Sequence, residues 1–112
     1  MDKGNIAIIE QMLQHAETMM MQAEFAQAKT RPQIYEEAKD ELIRAEKIMA
    51  GSGAWLMACL HARQNKGEMC IKWLERARNT KMLPDKDTIQ KHPHFKRVSE
   101  EAWFVKWVMS TN

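Results

Sequence analysis

Glycine and proline are scarce in this chain, four and three of 112 residues, and cysteine is scarcer at two. With so few helix-breaking residues, long helices are favoured over a fold of short strands and turns. β-Branched residues are sparse outside isoleucine, and no stretch carries a sustained strand signal. Cys59 and Cys70 supply neither a disulfide framework nor a zinc-ligand spacing. Each sits on an apolar helical stripe, where a free thiol acts as a small hydrophobe, so both are read as reduced. The uncharged stretch from Ala50 to Ala62 is too short to span a bilayer. The opening, Met1 to Gln11, lacks the order of a signal peptide because Glu10 interrupts its apolar run. A soluble, cytoplasmic protein of one domain, residues 1–112, is the expectation, with no membrane contact.

What the chain has is methionine, ten residues, and tryptophan, four, arranged at helical spacing. Ile9, Met12, Leu13, Ala16, Met19, Met20, Ala23 and Ala26 predict a long first helix from about Ile6 to Lys29, with Asn5 as its cap. Met19, Met20 and Met12 read as gap fillers of a helical core, with Met21 left at the surface. Thr30-Arg31-Pro32 stops that helix, and Pro32 suits the first turn of the next. Tyr35, Ala38, Leu42, Ala45 and Met49 form the stripe of a second helix, which Gly51-Ser52-Gly53 closes. From Trp55 to Ala77 two amphipathic runs are joined by Gln64-Asn65-Lys66-Gly67, an antiparallel helical hairpin with Ser52 as a possible cap. The pairing fades at Asn79-Thr80-Lys81. A short helical turn is expected around 87–90 behind Asp85, and His92-Pro93-His94 breaks the chain again. The segment from Ser99 to Met109 is apolar nearly all round and should be packed on more than one side.

Charge is unevenly spread. Residues 1–50 carry six basic against nine acidic side chains, and residues 51–112 carry eleven against six. Such polarity suits an acidic partner at the C-terminal half, although it also serves plain solubility.

Tyr35-Glu36-Glu37-Ala38 with Leu42 and Ala45 aligns with Gly67-Glu68-Met69-Cys70 with Leu74 and Ala77, so small residues recur in two helix-turn-helix units. Met57-Ala58-Cys59-Leu60-His61-Ala62 and Ile71-Lys72-Trp73-Leu74-Glu75-Arg76-Ala77 carry the pattern of a repeat's first and second helices. The chain thereby resembles the tetratricopeptide repeat, in the divergent form found in small bacterial proteins. The likeness covers about residues 35–98, with Asn65 standing where the turn usually has glycine. It implies an all-α stack of antiparallel hairpins, a small solenoid: residues 5–50 the first, 52–80 the second, and 83–109 a degenerate third unit or cap. It also implies a concave groove for a partner's peptide or helix, lined by Ser52, Trp55, Cys59, Ala62 and Arg63, and by Ala23, Gln27 and Thr30 from the first unit. Members that grip a peptide carboxylate have Lys and Asn where this chain has Trp55 and Cys59, so that mode is not implied.

The residues themselves leave alternatives open. Trp55 is either an aromatic anchor for a partner or is covered by the chain's own C-terminal segment. Arg63 either fixes a partner carboxylate or is solvated. His92 and His94, at i and i+2 around a proline, make a poor chelate with no cysteine or acid nearby in sequence, so no metal or other cofactor is expected. Cys59 and His61 diverge on a helix and cannot form a nucleophile–base pair, and no phosphate loop appears, so no enzyme is expected. The function expected is therefore a non-catalytic adaptor or scaffold for protein–protein interaction. Two other readings stand beside it. One is an acidic or nucleic-acid partner on the basic run from Arg63 to Arg97, the nucleic acid disfavoured by the absence of interleaved aromatics. The other is a homodimer through Trp103, Phe104 and Trp107.

Overall fold

The computed structural model describes residues 3–110, whose regular elements are all helical, with no strand among them. Six α-helices follow in order: α1 (Lys3–Phe25), α2 (Arg31–Ile48), α3 (Ala54–Arg63), α4 (Gly67–Asn79), α5 (Lys86–Lys91) and α6 (Ala102–Ser110). A 3-10 turn (Pro93–Val98) lies between the last two. No helix among the described residues is long and apolar enough to cross a membrane.

The first two helices pack along each other as a pair, and so do α3 and α4. The small residues that recur between the two units face inward: Ala38, Ala45, Cys70 and Ala77 are all fully buried. Their size lets the helices approach, and between α4 and α3 the Cys70 thiol donates to the Ala58 carbonyl at 3.3 Å. The first helix ends at Phe25, four residues short of the predicted Lys29, and Asn5 lies inside it rather than at its cap. Arg31 supplies the physical reason for the early end. Its Nε donates to the Ala23 carbonyl at 2.8 Å and its Nη2 to the Ala26 carbonyl at 2.9 Å, satisfying carbonyls that would otherwise carry the helix on.

The turn between α2 and α3 is held by its neighbours. Gly51 has φ +90°, and a Cβ there would lie 2.5 Å from the Thr80 hydroxyl, so both conformation and space require glycine. Ser52 does not cap α3. Its hydroxyl turns back and donates to the Ala45 carbonyl at 2.8 Å, and Gly53 occupies the cap position. Between α3 and α4, Asn65 takes the left-handed conformation (φ 53°) that glycine usually supplies there, which asparagine tolerates. Lys66 N–H then reaches the His61 carbonyl at 2.9 Å and Asn65 N–H the Ala62 carbonyl at 3.0 Å, the Schellman pattern that ends a helix sharply. The same pattern recurs at the end of α4, with Lys81 (φ 63°) in the left-handed position.

At the centre stands α3, touched by α1, α2, α4 and the 3-10 turn. Every residue of it except Trp55 is buried. Burial of Leu56, Met57 and Leu60 stabilises the fold by about 1.5–3 kcal/mol each. The C-terminal segment closes over this helix. Asp85 caps α5 as expected, accepting from Thr88 N–H at 2.8 Å, and the 3-10 turn then inserts Phe95 against Trp55. Phe104 and Trp107 of α6 point into the chain's own core, and Trp103 covers Gly67, where a Cβ would come within 2.8 Å of the indole. Of the three aromatics considered for a homodimer, Phe104 and Trp107 are buried within the chain and Trp103 is half-buried over Gly67, and the large apolar side chains that α6 exposes are Val105 and Met109.

His61 is buried among these helices with neither ring nitrogen partnered among the described residues. Burial first, then the charges of Lys66 and Lys39, bring its pKa down to about 4. A base whose folded pKa lies below its unfolded value of about 6.5 leaves stability untouched above that value. Stability is then lost as pH falls, because the unfolded chain takes up a proton that the folded chain refuses. We expect His61 to contribute about 2 kcal/mol to the loss between pH 7 and pH 5, and His61→Leu to remove that share. Denaturation curves at both pH values measure it, and parallel pH dependence in the two proteins would contradict the assignment.

Candidate functional site

Where the C-terminal end of α1 meets α3 and the 3-10 turn, the fold gathers a connected polar cluster. Glu17, Met21 and Glu24 come from successive turns of one face of α1, Cys59 and Arg63 from one stripe of α3, and His92 and His94 flank Pro93. Arg63 is the hub. It is buried, yet it pairs with Glu24, donates through Nε to His94 Nδ1, and lies 3.5 Å through Nη2 from Met21 Sδ. The Arg63 carbonyl in turn accepts from Arg97 Nη1 at 2.8 Å, which ties the 3-10 turn to the end of α3. A guanidinium can satisfy this many partners because its donors form a fixed, planar fork.

His94 is fully enclosed, with Glu17 Oε2 3.2 Å from its Nε2. Since Arg63 donates to Nδ1, that nitrogen carries the lone pair and Nε2 carries the hydrogen, which it gives to Glu17. Desolvation, then the Arg63 charge, push the His94 pKa down, against the opposing pull of Glu17. His92 is half-buried and is lowered chiefly by desolvation. The two imidazoles stack 4.9 Å apart, and Trp55 closes on them with its ring edge-on to His92 at 5.4 Å and stacked on Phe95 at 5.5 Å.

The residues that the repeat resemblance assigns to a groove are distributed unevenly. Trp55, Cys59 and Arg63 lie together on the face of α3 that the 3-10 turn covers. Cys59 and Ala62 are fully buried, so a partner could touch them only after that turn moves away. Ser52 is buried against α2. Gln27 and Thr30 are exposed in the α1–α2 loop, where the Gln27 carbonyl accepts from Thr30 and Arg31. Ala23 is buried.

Sequence reasoning missed two participants, Glu17 and Glu24, and the contacts that His94 makes with Glu17 and Arg63, because all of these span 30 or more positions. It set a metal aside because no cysteine or acid stood near His92 and His94 in sequence. In the fold Cys59 does, with its Sγ and one nitrogen of each imidazole within 4.8 Å of one another.

A nucleophilic role for Cys59 is poorly served by this geometry. Burial raises its pKa well above the ordinary thiol value, so it stays protonated at neutral pH. The lone pair of His94 is engaged by Arg63 rather than available as a base.

Beside the cluster the surface opens into a cleft of about 780 Å³, lined by Met21, Glu24, Phe25, Arg31, Tyr35, Arg63, Pro93, His94, Lys96 and Arg97. Phe25, the last residue of α1, is 89% exposed at its rim. Four cations face one carboxylate across it, and Arg31 and Arg97 are anchored by backbone carbonyls, which orient their charge without neutralising it. Comparison with protein families, with curated proteins and with solved structures finds no match.

Proposed function

We propose that this chain is a non-catalytic adaptor, built from tetratricopeptide-like stacked hairpins, that binds a partner segment in the cleft between the end of α1, the start of α2 and the 3-10 turn. The observation that carries the reading is the pairing of an exposed aromatic shelf, Phe25 with Met21, with the cations Arg31, Lys96 and Arg97 in one concavity. An aromatic and an arginine are the side chains that most often anchor an interface. The chemistry that fits is an acidic peptide segment carrying at least one large apolar side chain. The C-terminal segment occupies the face of α3 that bears Trp55 and Cys59, so docking moves outward along that helix to the open cleft at Arg63.

The reading is tested with a fluorescent peptide of alternating glutamate and phenylalanine, titrated by polarisation. Saturable binding is expected, weakening as salt rises because the cations are at the surface. Phe25→Ala and Lys96→Glu, both at exposed positions, are each expected to weaken it by about tenfold, with circular dichroism unchanged. Equal binding by wild type and both variants would overturn the cleft assignment. So would equal affinity for a peptide with lysine in place of glutamate.

A further inference from the structure

The cluster at His92-Pro93-His94 holds chemistry that an adaptor cleft does not use. A buried thiol and two imidazoles, one buried and one half-buried, converge from α3 and the 3-10 turn with their ligating atoms within 4.8 Å of one another. We infer that Cys59, His92 and His94 form a binding site for Zn2+, and that the ion would clasp the 3-10 turn onto α3.

Several features of the site favour this. One sulfur and two imidazole nitrogens form a donor set suited to Zn2+ rather than to the oxygen-seeking ions Mg2+ and Ca2+. In a tetrahedral zinc site the ligand atoms stand about 3.3–3.6 Å apart. Closing from 4.8 Å therefore asks for small side-chain rotations rather than a new backbone. Pro93 fixes the backbone between the two histidines, and Trp55 packs edge-on against the His92 ring. Most telling is Glu17. Its carboxylate takes the Nε2 hydrogen of His94, which leaves Nδ1 as the ligating nitrogen. This carboxylate–imidazole–metal relay is how proteins orient a histidine toward zinc.

A cation already stands at that Nδ1 lone pair, the Nε of Arg63. Zn2+ would take its place, and Arg63 would keep its ion pair with Glu24. Cys59 would bind as the thiolate, its proton passing to solvent. One thiolate and the carboxylates of Glu17 and Glu24 would then stand against the ion and the guanidinium, so no net charge is left uncompensated. Because His94 and Pro93 also line the cleft, occupancy would change the setting of Arg63 there. The site nevertheless stands on its own geometry, whatever the cleft binds.

The test uses the full chain, stripped by a chelator and kept reduced with a phosphine. It is titrated with Zn2+ against a chromophoric chelator, and separately with Co2+. One tight equivalent of Zn2+ is expected, together with a higher Tm, since an ion that binds only the native state stabilises it. A thiolate-to-cobalt charge-transfer band is expected with Co2+. His92→Ala and Cys59→Ala should lose both the tight equivalent and the band. Glu17→Gln should weaken binding about ten- to a hundredfold, and His15→Ala, an exposed histidine elsewhere on α1, should leave it unchanged. Should Cys59→Ala fail to fold, His92→Ala, on a half-exposed side chain, decides the matter. Binding that survives His92→Ala at full strength, or cobalt spectra without a thiolate band, would overturn the site.

Discussion

Phe95→Ala is expected to cost about 3–5 kcal/mol of folding stability, the usual range for truncating a buried phenylalanine. Phe95 has no exposed surface, stacks on Trp55 at 5.5 Å and meets Phe104 of α6 at 5.4 Å. It thereby touches α3 on one side and the C-terminal helix on the other. Its removal would open a cavity that the short 3-10 turn cannot collapse to fill without losing its bond from Phe95 N–H to the His92 carbonyl. Beyond the loss in stability, the turn should lift from α3 more often. Cys59 would then become reactive toward an alkylating reagent, while Cys70, buried between α3 and α4, stays protected. Phe95→Leu, which keeps much of the volume, should cost about 1.5 kcal/mol or less. Denaturant titration gives the energies, and mass spectrometry of the alkylated chain gives the site of reaction. A loss below about 1 kcal/mol with Cys59 still protected would mean that the C-terminal segment does not hold the face of α3 shut.

That closure is the part of the fold least legible in the sequence. The helices themselves were readable because local signals carry them: Pro32 at the start of α2, Asp85 as the cap of α5, and the stripe through Tyr35, Ala38, Leu42 and Ala45. Recurring small residues announced which faces pair, and Ala38, Ala45, Cys70 and Ala77 are buried as that spacing required. What covers the other flank of α3 is a long-range matter, set by His92 to Phe95 more than 30 positions away, and periodicity is silent on it. A signal was present nonetheless. From Ala54 to Ala62 the helix carries no charged residue, and a helix apolar all round must be enclosed on all sides. The segment from Ser99 to Met109 invites the same reading, yet α6 has an exposed face at Val105 and Met109. The rule holds with more force for α3. Arg63 likewise reads as a solvated or partner-seeking charge, because neither Glu24 nor His94 is near it in sequence.

Arg63→Ala is consequently expected to act on the fold before it acts on any partner. Its side chain is 8% exposed, whereas Glu24 is 47% exposed and can turn to water when the pair is broken. The loss should therefore be about 3 kcal/mol, at the lower edge of what breaking a fully buried pair costs. Most of it comes from the unpaired His94 Nδ1 and the vacated volume. Arg63→Lys keeps the charge but has no planar fork to serve Glu24 and His94 together, so it should recover less than half of the loss. The arginine also leaves a titration signature. Its charge is the second cause, after desolvation, of the lowered His94 pKa, while Glu17 pulls the other way. In Arg63→Ala both lowering influences weaken, so the His94 pKa should move up toward the ordinary imidazole range, read from the ring proton shifts in an NMR pH titration. His61 supplies the internal control. Its pKa is set by its own burial and by Lys66 and Lys39, so it should stay near 4. An unmoved His94, or a stability change below about 0.5 kcal/mol, would show that Arg63 is not the hub of this cluster.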